Sequence, residues 1–164
     1  MAVQLIDVAL LPGEYFVGGA QHRIRTLLGS CVAMTLWHPQ LRIGAMSHFL
    51  LPRRDPSRPG APDGRYGEEV LALMLAQLRR RGVDARQCQA KVFGGGAMFP
   101  QIEPHGGAGI GHQNAQAALH MLERHDIDVV SQSVLGVGHR QIVFYVRSGD
   151  IWVRRQLPRH GEHA

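Results

Sequence analysis

From Val3 to Val17 the chain is mainly apolar, with a break at Pro12-Gly13. This pattern predicts a short strand, a turn and a second strand about Tyr15-Phe16-Val17. A second apolar stretch covers residues 24–37 with Gly29-Ser30 inside it, and a third runs from Arg42 to Leu51 and ends at Pro52. With only His38-Pro39-Gln40-Leu41 between them, these stretches predict strands joined by a tight loop. The period then lengthens. Within Glu68–Arg81, Val70, Leu71, Met74, Leu75 and Leu78 recur at helical spacing, Glu68-Glu69 lead, three arginines close the segment and Gly82 stops it. Residues 89–93 read as a strand running into Gly94-Gly95-Gly96. Ile110–His125 reads as a second helix, with Ala117, Ala118, Met121 and Leu122 on one face. Gln141–Arg147 and Asp150–Arg154 alternate about Ser148-Gly149, a hairpin signal.

Between these segments, residues 53–65 carry Pro56, Pro59, Gly60, Pro62 and Gly64 and read as an exposed loop, and 157–164 as a flexible tail. The order strands, helix, strand, helix, hairpin predicts one layered α+β domain, a mixed β-sheet packed with two main helices, over a core of about residues 12–156. Composition agrees: 164 residues with 45% hydrophobic content suffice for one sizeable core, and 19% charge excludes a disordered chain. No apolar run reaches the roughly 18 residues of a spanning helix, and the start resembles no export signal, so a cytoplasmic protein without membrane insertion is expected. The net charge is +5, carried by 17 arginines and one lysine. The arginines are scattered and aromatics make up only 6%, so nucleic acid is not the expected partner.

Two cysteines, Cys31 and Cys88, are far apart and read as free thiols. Cys88 lies in a polar stretch and reads as structural. Cys31 follows Gly29-Ser30, and His48 comes 17 residues later near the end of the next apolar stretch. If the loop is His38–Leu41, Trp37 pairs with Arg42 and Cys31 falls directly opposite His48, on one face, with Cβ atoms roughly 4.5–5.5 Å apart. That pair suits nucleophilic catalysis, because the thiolate is the nucleophile and a neighbouring imidazole can take its proton and return it to a leaving group. Gly29 and Ser30 would let backbone amides face the developing oxyanion. Residue types alone leave a second reading open, in which Cys31 is a small buried apolar residue and His48 a core histidine. No Cys-x-x-Cys or His-x-x-x-His pair seeds a metal site, and Gly94-Gly95-Gly96 lacks the Lys-Ser/Thr of a phosphate loop. Neither a metal nor an organic cofactor is expected.

The stretch Thr26-Leu27-Leu28-Gly29-Ser30-Cys31-Val32-Ala33, followed by Gly44-Ala45-Met46-Ser47-His48-Phe49-Leu50-Leu51-Pro52, resembles the signature of the CheD family of chemoreceptor glutamine deamidases. Arg65-Tyr66, Ala90–Phe99, Ile110-Gly111 with Asn114, and Gly138-His139-Arg140 follow in the same order and spacing. The resemblance implies a cytosolic amide hydrolase, a protein-glutamine glutaminase acting on the cytoplasmic region of methyl-accepting chemotaxis receptors. It implies Cys31 as nucleophile, His48 as general base and Thr26, the only threonine close upstream, as the third catalytic residue. Thr26 stands five residues before Cys31 where the family pattern has six, so strand alternation decides which way it faces. The resemblance further implies a thioester intermediate and a CheC-family phosphatase as a second partner; its alternative is a catalytically weak module that docks either protein. A basic surface would speed encounter with glutamate-rich receptor helices.

Overall fold

The computed structural model describes residues 4–99 and 109–157. Strands β1 (Ile6–Ala9), β2 (Tyr15–Gly18), β3 (His22–Leu28), β4 (Val32–His38) and β5 (Ile43–Ser47) come first. Helix α1 (Gly67–Arg80), β6 (Gln89–Gly94), helix α2 (Ile110–Arg124), β7 (Asp128–Val134), β8 (His139–Tyr145) and β9 (Asp150–Gln156) follow. The expected α+β class with two main helices holds. The strands divide between two mixed sheets, ordered β1-β3-β8-β9 and β2-β5-β4-β6-β7.

Both helices cover one face of the five-stranded sheet, where Val32, Met34 and Leu36 of β4 pack with Val70, Leu71 and Met74 of α1 and Ala115, Ala118 and Leu122 of α2. The other face of β4, through Ala33, joins a second core with Ile24, Leu28, Ile142 and Phe144 of the four-stranded sheet. β4 is therefore buried on both sides, which is why its sequence is continuously apolar instead of alternating. Helix α1 ends as Gly82 predicts. Gly82 takes a φ of 75°, its N–H donates to Arg79 O and that of Val83 to Leu78 O, closing the last turn.

The breaks in the apolar stretches are places where the chain changes sheets. Pro12-Gly13 closes no hairpin: β1 pairs in parallel with β3, whereas β2 pairs with β5 in the other sheet. Gly29-Ser30 likewise carries the chain from β3 to β4. The register of β4 on β5 differs from the expected one by two residues: His38 pairs with Ile43 and Trp37 with Gly44. Turn chemistry explains the shift. Arg42 adopts a left-handed φ of 51°, its N–H donates to His38 O at 2.8 Å, and the Leu41 N–H donates to His38 Nδ1 at 3.1 Å. His38 thus belongs to the strand and the loop is residues 39–42. A shift of two preserves the faces; the bridge Val32↔Phe49 continues the ladder, so His48 stands opposite Ala33 and Cys31 is its diagonal neighbour.

The sequence pattern predicts no element over β7. This edge strand runs parallel to β6, and Asp128, Ser131 and Gln132 are among its exposed residues, so it lacks the apolar alternation that would announce it. Of the expected tail, residues 158–164 lie outside the described residues. No described helix is long and apolar enough to cross a membrane.

Candidate functional site

Strand β3 alternates strictly over its second half: Ile24, Thr26 and Leu28 face the inter-sheet core, while Arg25 and Leu27 are exposed. Arg25 turns outward and its Nε donates to Asp7 Oδ2 at 2.8 Å, so the five-residue spacing directs Thr26 inward. His48 follows β5, and its main chain is fixed on both sides: its N–H donates to Glu14 O and its C=O accepts from Gly13 N–H. Its side chain points at the four-stranded sheet, where Nδ1 lies 2.7 Å from Thr26 Oγ1. The Thr26 hydroxyl donates its hydrogen to Leu10 O at 2.8 Å. A hydroxyl has one hydrogen, so the short contact to Nδ1 requires that the ring donate and the Thr26 oxygen accept. This holds neutral His48 in the Nδ1–H tautomer and leaves Nε2 with a free lone pair.

Burial sets the protonation of the site. It pulls the His48 pKa down to about 4 and pushes the thiol of half-buried Cys31 up. The imidazole is therefore uncharged at neutral pH, and the thiol rests protonated. A neutral imidazole beside a protonated thiol can take its proton as the sulfur attacks.

The loop bearing Cys31 is held by three successive carbonyls. Gly29 O accepts from Gly96 N–H at 2.9 Å and Cys31 O from Gly95 N–H at 3.0 Å, while Ser30 O accepts from Asn114 Nδ2 at 3.1 Å. In a trans peptide the N–H points opposite to the carbonyl of the same plane. The Ser30 and Cys31 N–H groups accordingly face away from these anchors, and neither has a partner among the described residues. Gly94 makes this close approach feasible: its φ is 106° and a Cβ there would meet Cys31 O at 2.2 Å. Gly94 O in turn accepts from Leu135 N–H and from Nη1 of Arg140 at 3.4 Å. Buried Arg140 also donates to Ser133 Oγ and Leu135 O, tying β8 to the turn that grips Cys31.

The structure thus brings Thr26 and His48 into contact, with Gly29, Ser30 and Cys31 on the adjoining loop. Asn114 and Arg140 are the supporting residues that reasoning from spacing missed as parts of the site. Their roles depend on tertiary pairing across 84 residues in one case and 46 in the other, which no local pattern reports. Cys88 lies apart, 2% exposed, with its thiol pushed up to about 11, first by burial and then by Asp84. Among the described residues no three His, Cys, Asp or Glu side chains cluster as a metal site needs.

A family model described as CheD chemotactic sensory transduction matches residues 50–155. A "Probable chemoreceptor glutamine deamidase CheD 2" of Albidiferax ferrireducens is 54% identical over 93% of this chain and 89% of the relative. A "Probable chemoreceptor glutamine deamidase CheD" of Pseudomonas syringae pv. tomato is 43% identical over 94% of this chain and 92% of the relative. One from Chromobacterium violaceum is 36% identical over 96% and 81%. Alignments of that extent take in the half of the chain with Cys31 and His48, which precedes most of the family-model match.

Proposed function

The chain belongs to the CheD family, and on that premise we propose that it deamidates glutamine side chains of chemoreceptors to glutamate, with Cys31 as nucleophile, His48 as general base and Thr26 as the group that orients the histidine. The observation that carries this reading is the relay from Leu10 O through Thr26 Oγ1 to His48 Nδ1. It leaves Nε2 as the basic nitrogen in a buried, uncharged ring.

The steps follow from these groups. His48 Nε2 takes the thiol proton as Cys31 Sγ attacks the amide carbon, and the oxyanion develops toward the Ser30 and Cys31 N–H groups that Gly29 and Ser30 carbonyl anchoring leaves free. His48 returns the proton to the leaving nitrogen, ammonia departs and a thioester remains. Water deprotonated by His48 then releases glutamate. The same thioester forms from a glutamyl methyl ester, with methanol as leaving group. No metal or organic cofactor enters any step.

A protein-sized substrate is supported by the surroundings. Leu11, Leu51 and Phe99 are exposed large apolar residues, each adjacent in sequence to a residue that touches the site or its supports: Leu10, Leu50 and Met98. Receptor substrates of this kind place the enzyme in the cytoplasm, and a CheC-family phosphatase is the second partner we propose, tested by co-purification of the two proteins. The test of function is conversion of glutamine to glutamate in a purified cytoplasmic receptor fragment, followed by peptide mass spectrometry. Conversion by the wild-type chain and none by C31A is expected; no conversion by the wild type overturns the reading and leaves a docking module.

A further inference from the structure

Asn114 sits in the second turn of α2 and is fully buried. Its amide nitrogen donates one hydrogen to Ser30 O at 3.1 Å and the other to Leu50 O at 2.8 Å. Ser30 immediately precedes Cys31, and Leu50 lies two residues after His48. A single side chain therefore spans the two segments that carry the reacting groups. Both donors are used on carbonyls, which fixes the amide orientation, since the flipped amide would set oxygen against oxygen. The other end of the amide is unusual: Oδ1 is buried with no hydrogen-bond partner among the described residues. A buried unsatisfied acceptor costs free energy and calls for an explanation. Packing is not that explanation, because an apolar side chain would fill the volume without the orphaned oxygen.

We propose that Asn114 is a positioning residue for amide hydrolysis. By holding Ser30 C=O it turns the Cys31 N–H of the same peptide plane toward the oxyanion, and its second bond, to Leu50 C=O, fixes the amide that does so. The inference rests on the reading of Cys31 as nucleophile given above. It assigns Asn114 no contact with substrate.

The experiment compares wild type, N114A and N114S in two assays: deamidation of a receptor fragment, and alkylation of Cys31 by iodoacetamide. Alkylation needs the sulfur and its proton acceptor but develops no oxyanion, so it separates loss of oxyanion alignment from general loosening. For N114A, kcat falls by about tenfold to a hundredfold with KM within about threefold, and the alkylation rate stays within about twofold of wild type. N114S, whose hydroxyl can serve one of the two carbonyls, lies between, and it carries the test where N114A fails to fold. A kcat retained within threefold in both variants overturns the proposal, as does a parallel fall of kcat, alkylation rate and melting temperature, which would mark a structural role only. A wild-type protein that converts no glutamine overturns the functional reading itself; an active wild type with equally active variants overturns this inference alone.

Discussion

Replacing Thr26 with valine keeps the side-chain shape and removes one oxygen. That oxygen serves two buried groups: it donates to Leu10 O and accepts from His48 Nδ1. Each group left unpaired in the interior costs about 1–3 kcal/mol, so Thr26→Val loses about 2–6 kcal/mol of folding free energy, read from urea unfolding. The effect on turnover comes through the ring. A hydrogen bond of net worth about 0.5–1.5 kcal/mol holds the Nδ1–H tautomer, so its loss alone redistributes the tautomers by roughly twofold to tenfold. Loss of orientation at a reacting nitrogen adds up to about a hundredfold. The expected outcome is a kcat for receptor-fragment deamidation lower by about 10²-fold, with KM little changed. Thr26→Ser, which keeps the hydroxyl, stays within about fivefold of wild type. Measurements are made in buffer where circular dichroism shows each variant folded. A Thr26→Val enzyme with wild-type kcat, or a Thr26→Ser enzyme as impaired as the valine variant, would refute the assignment of Thr26 as the group that orients His48.

Four further outcomes follow from the same geometry. His48 must be neutral to act, and with its pKa near 4 the initial rate holds steady from pH 7 to about 5 and falls only below that; an acid limb centred near 6.5 would contradict the buried imidazole. The sign for stability is the same: unfolded His48 binds a proton below its ordinary 6.5 and folded His48 only below about 4, so unfolding free energy drops by about 3 kcal/mol across that window. His48→Gln lacks this component of the slope in pH-dependent denaturation. In the native protein iodoacetamide labels Cys31 and spares Cys88, with a rate still rising above pH 9, because burial raises both thiols; a rate that plateaus below pH 7 would reveal a standing thiolate instead. Finally, Gly94→Ala forces a Cβ against Cys31 O in a backbone conformation disfavoured for alanine, costing about 1–3 kcal/mol or more and abolishing turnover; an active, equally stable variant would refute the tight apposition of the two loops.

Local patterns announced both helices, the hairpin at Ser148-Gly149 and the apolar stretches that become β3, β4 and β5, because amphipathic spacing and turn residues act over a few positions. They also predicted a pairing that sets Cys31 opposite His48, whereas the spacing to Cys31 did not decide which way Thr26 faces; in the structure the alternation of β3 turns Thr26 inward and Arg25 outward. What escaped was set by contacts between distant segments. The β4–β5 register turned on a left-handed Arg42 and on His38 capping its own loop, a conformation that a non-glycine residue does not advertise. β7 escaped because one partner and a largely solvated surface suffice for an edge strand beside β6. Pro12-Gly13 reads as a turn between neighbouring strands and Gly29-Ser30 as a break within one apolar stretch, yet both are crossings between sheets, since sheet membership is decided by β8 more than a hundred residues downstream of both. Asn114 and Arg140 act on carbonyls of the Cys31 loop and of Gly94, and carbonyls leave no mark in a sequence.

In the proposed mechanism Cys31 forms a covalent bond to a receptor glutamine as ammonia leaves. Acid-quenching the enzyme during turnover of a chemoreceptor fragment and measuring the intact mass of both proteins tests this step. A transient adduct equal to the fragment less ammonia is expected, located on Cys31 by fragmentation, together with glutamate in the product and neither species with C31A. Glutamate formed by C31A, or turnover by the wild type with an adduct on any other residue, would contradict it.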